Sequence, residues 1–122
     1  MKIKFVFYVL PVLVIYVNSM KKFAGFSYGP VVKIRKSHKD DVGLLQHELT
    51  HSKQWYRTLG LWWLLYRFAK RCYRYELEAY AVQLKYADDY EAKLQKFVDL
   101  IVDMYGLKVT RENVESDLRK AS

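Results

Sequence analysis

The stretch Asp40-Asp41-Val42-Gly43-Leu44-Leu45-Gln46-His47-Glu48-Leu49-Thr50-His51, running on to Leu59-Gly60, decides how the rest of the chain is read. A carboxylate at Asp40 or Asp41 can accept the unpaired backbone N–H groups of a first helical turn. Gly60 offers a left-handed stop, so the spacing predicts a helix from about Val42 to Leu59. His47 and His51 are four residues apart, one turn along a single helix face, and both imidazoles can reach one metal ion. Glu48 lies beside that face, where its carboxylate can take a proton from water whose pKa zinc lowers from ~16 to near 7. The chain has only 3 histidines, and two of them form this pair. The competing interpretation is two solvated or core-edge histidines.

Upstream, Val31 to Arg35 alternates Val32 and Ile34 against Lys33 and Arg35 and is entered through Gly29-Pro30, which reads as a strand. Ser37 to Asp41 is a polar turn. Phe5 to Val17 is apolar but falls short of the ~20 residues a bilayer-spanning helix needs. It is rich in β-branched residues and holds Pro11, so it reads as a buried strand, or two broken at the proline. The other reading of residues 1–19 is a secretory leader, with basic Met1–Lys4 in front and Val17-Asn18-Ser19 as its cleavage site.

Downstream, a second helical stretch covers about Leu61 to Asp88 and opens with Leu61-Trp62-Trp63-Leu64-Leu65-Tyr66. A third covers Tyr90 to Tyr105, with Leu94, Phe97, Val98, Ile101, Val102 and Tyr105 on one stripe and Gly106 at its end. Thr110 can cap a last helix from Arg111 to about Lys120. Strands first and helices after predict an α+β fold: N-terminal β-strands, the helix bearing His47 and His51, and two to three further helices. The 122 residues make one domain, with residues 25–87 its core and 88–122 a C-terminal helical segment.

A hydrophobic fraction of 52% argues against disorder. The single cysteine, Cys72, excludes an intramolecular disulfide and a cysteine-built zinc site. Net charge is +8 and uneven: residues 1–87 carry 15 Lys/Arg against 5 Asp/Glu, residues 88–122 carry 6 against 8. A basic body invites an acidic partner, whether nucleic acid, an anionic membrane surface or an acidic substrate. Trp62, Trp63, Tyr66, Arg67, Lys70, Arg71 and Arg74 form an aromatic-basic stretch that could sit among lipid headgroups. The simpler reading packs the rings and lets the cations snorkel to water. No nucleic-acid-binding motif is present.

A catalytic zinc usually takes three protein ligands. A third histidine ten residues after His47 is ruled out because Arg57 stands there, and His38 falls in the turn before the helix. The remaining candidates are Glu76 and Glu78, in Tyr75-Glu76-Leu77-Glu78-Ala79-Tyr80-Ala81. Two helical steps turn by roughly 200°, so only one of them can face the metal. Glu78 shares a charged face with Arg74, Arg71 and Lys85. Glu76 shares an uncharged one with Ala69, Cys72, Tyr73, Ala79, Tyr80 and Gln83. A carboxylate on the less polar face needs a partner, which favours Glu76, with Glu78 as the alternative. The small Ala79 would let this helix approach the first closely.

His47-Glu48-Leu49-Thr50-His51 followed by Glu76-Leu77-Glu78-Ala79 resembles the gluzincins, the thermolysin-like zinc peptidases, and in particular their very small members, the minigluzincins. The run from Gly29-Pro30 through His47 to Trp55 is also similar to short metallopeptidase-like chains of phages and bacteria. The likeness covers about residues 25–87. It implies a zinc-dependent metallopeptidase in which His47, His51 and Glu76 bind Zn2+ and Glu48 is the catalytic base, acting on a peptide or protein. It further implies that Val31–Arg35 is an edge strand along which an extended substrate lies. Two departures stand out. Tyr80 occupies the position where many gluzincins place an aspartate that orients a zinc-bound histidine. No histidine follows Glu76 to steady an oxyanion, so a tyrosine or arginine would have to serve; Tyr73 and Tyr80, one turn from Glu76, are candidates, and the competing reading packs them in the core. The other readings are an inactive zinc-site structural or regulatory protein, and a basic membrane- or nucleic-acid-binding module. A cytoplasmic location is expected, with export if residues 1–19 act as a leader.

Overall fold

The computed structural model describes residues 2–6, 10–18, 24–58, 69–106 and 109–122, and for residues 69–71 the backbone alone. It is α+β: a four-stranded sheet at the N-terminus, then four helices, among the described residues. The strands are β1 (Lys2–Val6), β2 (Leu10–Val17), β3 (Gly25–Ser27) and β4 (Val31–Arg35). The helices are α1 (Val42–Arg57), α2 (Ala69–Leu84), α3 (Tyr90–Tyr105) and α4 (Arg111–Ala121). A short 3₁₀ turn, Lys36–His38, fills the polar segment before α1.

The sheet order is β1-β2-β4-β3. β1 and β2 are antiparallel, β2 and β4 parallel, and β3 returns antiparallel along β4. Two expectations are corrected here. The apolar run does form two strands, but Pro11 is not the break: it is the second residue of β2, paired with Phe5. Pairing with β4 begins only at Leu13, so Pro11 precedes the part of β2 bonded on both sides, where a missing N–H is tolerated. Its carbonyl accepts a hydrogen bond from Tyr56 Oη at 2.7 Å. The second correction is that Val31–Arg35 is not an edge strand. It lies between β2 and β3, and among the described residues the edge on that side of the sheet is β3. A strand buried on one face and paired on both sides alternates just as an edge strand does, so its pattern could not tell the two apart.

Helix boundaries follow local chemistry. Asp41 accepts Leu44 N–H at 2.9 Å, Asp89 accepts Ala92 N–H at 3.2 Å and Thr110 accepts Asn113 N–H at 3.2 Å, so each cap satisfies a donor of the first turn. α3 spans the predicted residues and stops at Gly106, whose φ of 55° is left-handed. α2 ends at Leu84, four residues before the predicted Asp88, because residues 85–88 turn so that Asp89 can cap α3. The start of that predicted helix, with its tryptophan pair, and the Gly60 stop lie outside the described residues.

Two apolar cores result. Leu49 of α1, with Leu44, Leu45 and Tyr56 beside it, packs on Val6, Val12, Val14, Val32 and Ile34 from one face of the sheet. Ala81 and Leu84 of α2 pack with Leu94, Phe97, Val98 and Ile101 of α3 and Val114 and Leu118 of α4. The seam between these cores is the contact of α1 with α2, and it is polar. No helix among the described residues is long and apolar enough to cross a membrane.

Candidate metal centre

His47, Glu48 and His51 come from the middle of α1, the two histidines facing Glu76 of α2 and Glu48 lying against β3. All four are buried, at 6%, 6%, 5% and 6% exposure respectively. Glu76 lies between the two imidazoles: Oε1 is 3.0 Å from His51 Nε2 and Oε2 is 3.5 Å from His47 Nε2. One donor atom from each of the three residues falls within 4.8 Å of the other two. Donors held about 2.0–2.2 Å from a tetrahedral zinc stand roughly 3.4 Å apart, so the donor set fits such an ion in type and number, and the two histidine–Glu76 spacings lie near that value.

The electrostatics follow from burial and neighbours. Burial opposes the charge on Glu76, but the charge of His51 and hydrogen bonds from both histidines outweigh it and hold the carboxyl well below its ordinary 4.5. Burial likewise opposes a charge on His51, yet Glu76 prevails and pushes the imidazole up to about 9. Glu48 goes the other way. Burial raises its carboxyl above the ordinary 4.5 and Glu76 adds to the rise, while His47 and His51 counter part of it. Three groups drawn to one point thus form a proton-bridged cluster whose charge a divalent cation could replace.

Sequence reasoning selected Glu76 over Glu78, and the geometry separates the two. Glu78 is half-exposed and accepts from Arg57 Nη2 at 2.6 Å. The ion pair expected for Glu78 therefore exists, but its partner is Arg57 across the α1–α2 contact and not Arg74 on its own helix. His38 is away from the cluster, its Nδ1 3.0 Å from Ser37 Oγ. Of the two tyrosine candidates, Tyr73 donates to Asp117 Oδ2 at 2.7 Å and so is tied to α4. Tyr80 packs edge-on against His47, with ring centroids 4.4 Å apart, and against Phe97 at 4.8 Å. Burial, with Glu76 and Glu48 nearby, raises the Tyr80 phenol and keeps it protonated.

Two contributors were missed. Gln54, fully buried on α1, has its Oε1 2.8 Å from His51 Nδ1 and donates from Nε2 to the Tyr75 carbonyl at 3.0 Å. An amide fixed by that carbonyl presents its oxygen to Nδ1, so a ring proton sits there, and once the imidazole gives up its other proton Nε2 is the atom with a lone pair for a metal. The spacing of His51 and Gln54, three residues apart on one helix, was the available signal. His47 has no such partner: its Nδ1 is buried without a hydrogen bond, and the Tyr80 ring holds the imidazole instead. The other is Gly25 of β3. A Cβ there would lie 3.1 Å from Glu48 Cγ and 3.2 Å from its Oε1, so the bare backbone makes room for that carboxylate. No family model, curated protein or solved structure matches the chain.

A cleft of about 750 Å³ opens onto the cluster between β3, the start of α1, Tyr80 and Gln83 of α2, and one side of α3. His47 and Glu48 line it. Among the described residues Glu48 makes no side-chain hydrogen bond, so its carboxylate is available to whatever occupies the cleft.

Proposed function

We propose that this chain is a zinc-dependent peptidase in which His47, His51 and Glu76 hold the ion and Glu48 is the general base. One observation carries the reading: two imidazole Nε2 atoms converge on the buried Glu76 carboxylate while the neighbouring Glu48 faces a cleft large enough for a peptide segment. When bound, the cation supplies Lewis acidity, polarising a carbonyl and making hydroxide available near neutral pH. Glu48 takes the proton of the attacking water at its carboxylate and returns it to the departing amine. Its raised affinity for protons suits both halves of that exchange, because a carboxylate near its ordinary value is a weaker base at neutral pH. Tyr80, protonated, lines the cleft with its ring against His47.

The substrate backbone adds to β3, the edge strand whose Gly25 lies against Glu48, where main-chain hydrogen bonds hold an extended segment whatever its side chains. Gln54 is a positioning residue that acts through His51.

Metal analysis of the wild type and Glu48→Gln, with hydrolysis measured on a peptide library, tests the proposal. Both proteins should bind one zinc per chain. Hydrolysis should fall by a factor of roughly 10²–10⁴ in the variant, the usual range for loss of a general base. Stoichiometric zinc with no hydrolysis of any peptide by the wild type would identify an inactive metal-site protein. No zinc, with chelator-insensitive and salt-sensitive binding to anionic vesicles, would favour a membrane-surface module.

A further inference from the structure

α3 forms one wall of the cleft, and its cleft-facing side is laid out unevenly. Lys93 and Lys96 come first, then Phe97, then Leu100, Asp103 and Met104. Phe97 marks the level of the metal cluster, because its ring meets Tyr80, which in turn meets His47. On one side of that level lie two lysines. On the other lie Leu100 and Met104, 39% and 49% exposed, one turn apart on a helix that buries Leu94, Phe97, Val98 and Ile101.

Several other ionic side chains near the cleft are engaged. Glu91 pairs with Arg119 and Asp99 with Arg111, both away from the cleft, and Asp41 at the cleft margin caps α1. Lys93 and Lys96 have no acidic side chain within 4.0 Å among the described residues. Asp103 stands seven residues beyond Lys96, about 10 Å along the helix. It repels an acidic group at that end and leaves the lysine end as the place for one.

We infer that the cleft selects peptides carrying an acidic side chain on one side of the reacting bond and a large apolar side chain on the other. This rests on the peptidase reading of the site and deepens it. An extended strand advances about 3.3 Å per residue. Lys93 and Lys96 lie within about 6 Å of the Phe97 level along the helix, and Leu100 and Met104 within about 11 Å. The acidic side chain is therefore one or two residues from the reacting bond, and the apolar one within about three on the opposite side. Exposed opposite charges contribute up to about fivefold each, so the lysine pair together gives on the order of tenfold.

The experiment measures binding to the zinc-loaded Glu48→Gln protein by fluorescence anisotropy at low salt. The probes are three labelled octapeptides, one with Glu and Leu flanking the central bond, one with Lys and Leu, and one with Glu and Gly. The Glu/Leu peptide should bind about tenfold tighter than the Lys/Leu peptide, and the gap should narrow in 0.5 M salt. Lys93→Glu with Lys96→Glu should invert that order. Leu100→Ser with Met104→Ser should remove the preference for Leu over Gly and leave the charge order intact. All four positions are exposed, and circular dichroism checks that the variants fold. Equal affinity for the three peptides, including no binding to any, overturns the inference, as does a charge preference that survives the double reversal. Charge-selective binding with no turnover by the wild type would remove the peptidase reading and keep this one. Turnover of neutral peptides with no charge preference would do the reverse.

Discussion

Helices α1 and α3 are both 16 residues long and both begin on an aspartate cap, yet they bury opposite chemistry. α3 buries Leu94, Phe97, Val98 and Ile101. α1 buries Gly43, His47, Glu48, Leu49, Thr50, His51, Ser52 and Gln54, of which Leu49 is the one large apolar side chain. Burying a polar group costs free energy unless it is bonded, and most of those on this face are. Thr50 Oγ1 donates to the Gln46 carbonyl at 2.8 Å, Ser52 Oγ to the Gly29 carbonyl at 2.6 Å, and Gln54 joins His51 to α2. The α3 face stabilises the fold by excluding water, whatever else is bound. The α1 face depends on partners, and at its centre three donor groups converge. The difference teaches that one half of the molecule is stabilised by packing alone, while the seam beside it gathers polar groups that a bound ion could tie together.

The largest test of that contrast is metal loading. Zinc at a thousandfold excess over its dissociation constant should add about 4 kcal/mol to unfolding. For a chain of this size that raises the calorimetric midpoint on the order of 15 °C. Glu76→Gln should lose most of the rise. An equal rise in that variant would mean the ion sits elsewhere, and the contrast between the two helices would lose its basis.

Next in size is Ile101→Ala, which opens a cavity in the all-apolar core and should cost about 2–5 kcal/mol in urea unfolding. Its zinc affinity should not change. A loss of affinity alongside the loss of stability would show that the two cores are coupled through α2 and are not independent.

The same contrast explains what could be read from residues alone. The α3 stripe recurs every three to four residues, with a cap before it and Gly106 after it, and both ends were legible. The α+β order was also legible, as were the two histidines and the choice of Glu76, because an uncharged face isolates that carboxylate. Position within the sheet was not. The alternation of Val32 and Ile34 reports one buried face and is silent on neighbours, so β4 read as an edge, while three-residue β3 was too short to carry any pattern. Gln54 went unassigned because its role depends on the Tyr75 carbonyl of another helix, a contact no local spacing encodes. The pairing of Glu78 with Arg57 was hidden for the same reason.

Gln54→Leu sharpens the comparison at smaller scale. The shape is nearly kept, but His51 Nδ1 and the Tyr75 carbonyl each lose a buried partner, so unfolding of the metal-free protein should cost about 1–3 kcal/mol. Loss of the His51 Nδ1 partner should weaken zinc by about 10- to 100-fold in a chelator competition. A large stability loss with unchanged affinity would make Gln54 an ordinary core residue and α1 a helix of the α3 kind.

The smallest effect is the pH dependence, and it separates the two faces without any mutation. In the metal-free protein His51 is raised from 6.5 to about 9. Its contribution to stability is therefore fully present below about pH 6.5 and is lost as pH rises through 9. Glu76, held below its ordinary 4.5, contributes above that value and loses its contribution as pH falls through its lowered one. The pair thus favours the metal-free fold most between about pH 4.5 and 6.5. Zinc needs His51 neutral, so binding near pH 7 must displace a proton, and the apparent affinity should rise about tenfold per pH unit up to 9. Titration calorimetry in buffers of different ionisation enthalpy reads that proton directly, at close to one released per zinc. Because the titratable group that α3 partly buries, the Tyr105 phenol, is raised by burial and stays protonated, the Ile101→Ala penalty should be flat over the same range. If zinc affinity were flat as well, His51 would not exchange its proton for the metal, and the distinction between a face that binds and a face that only packs would fail at its centre.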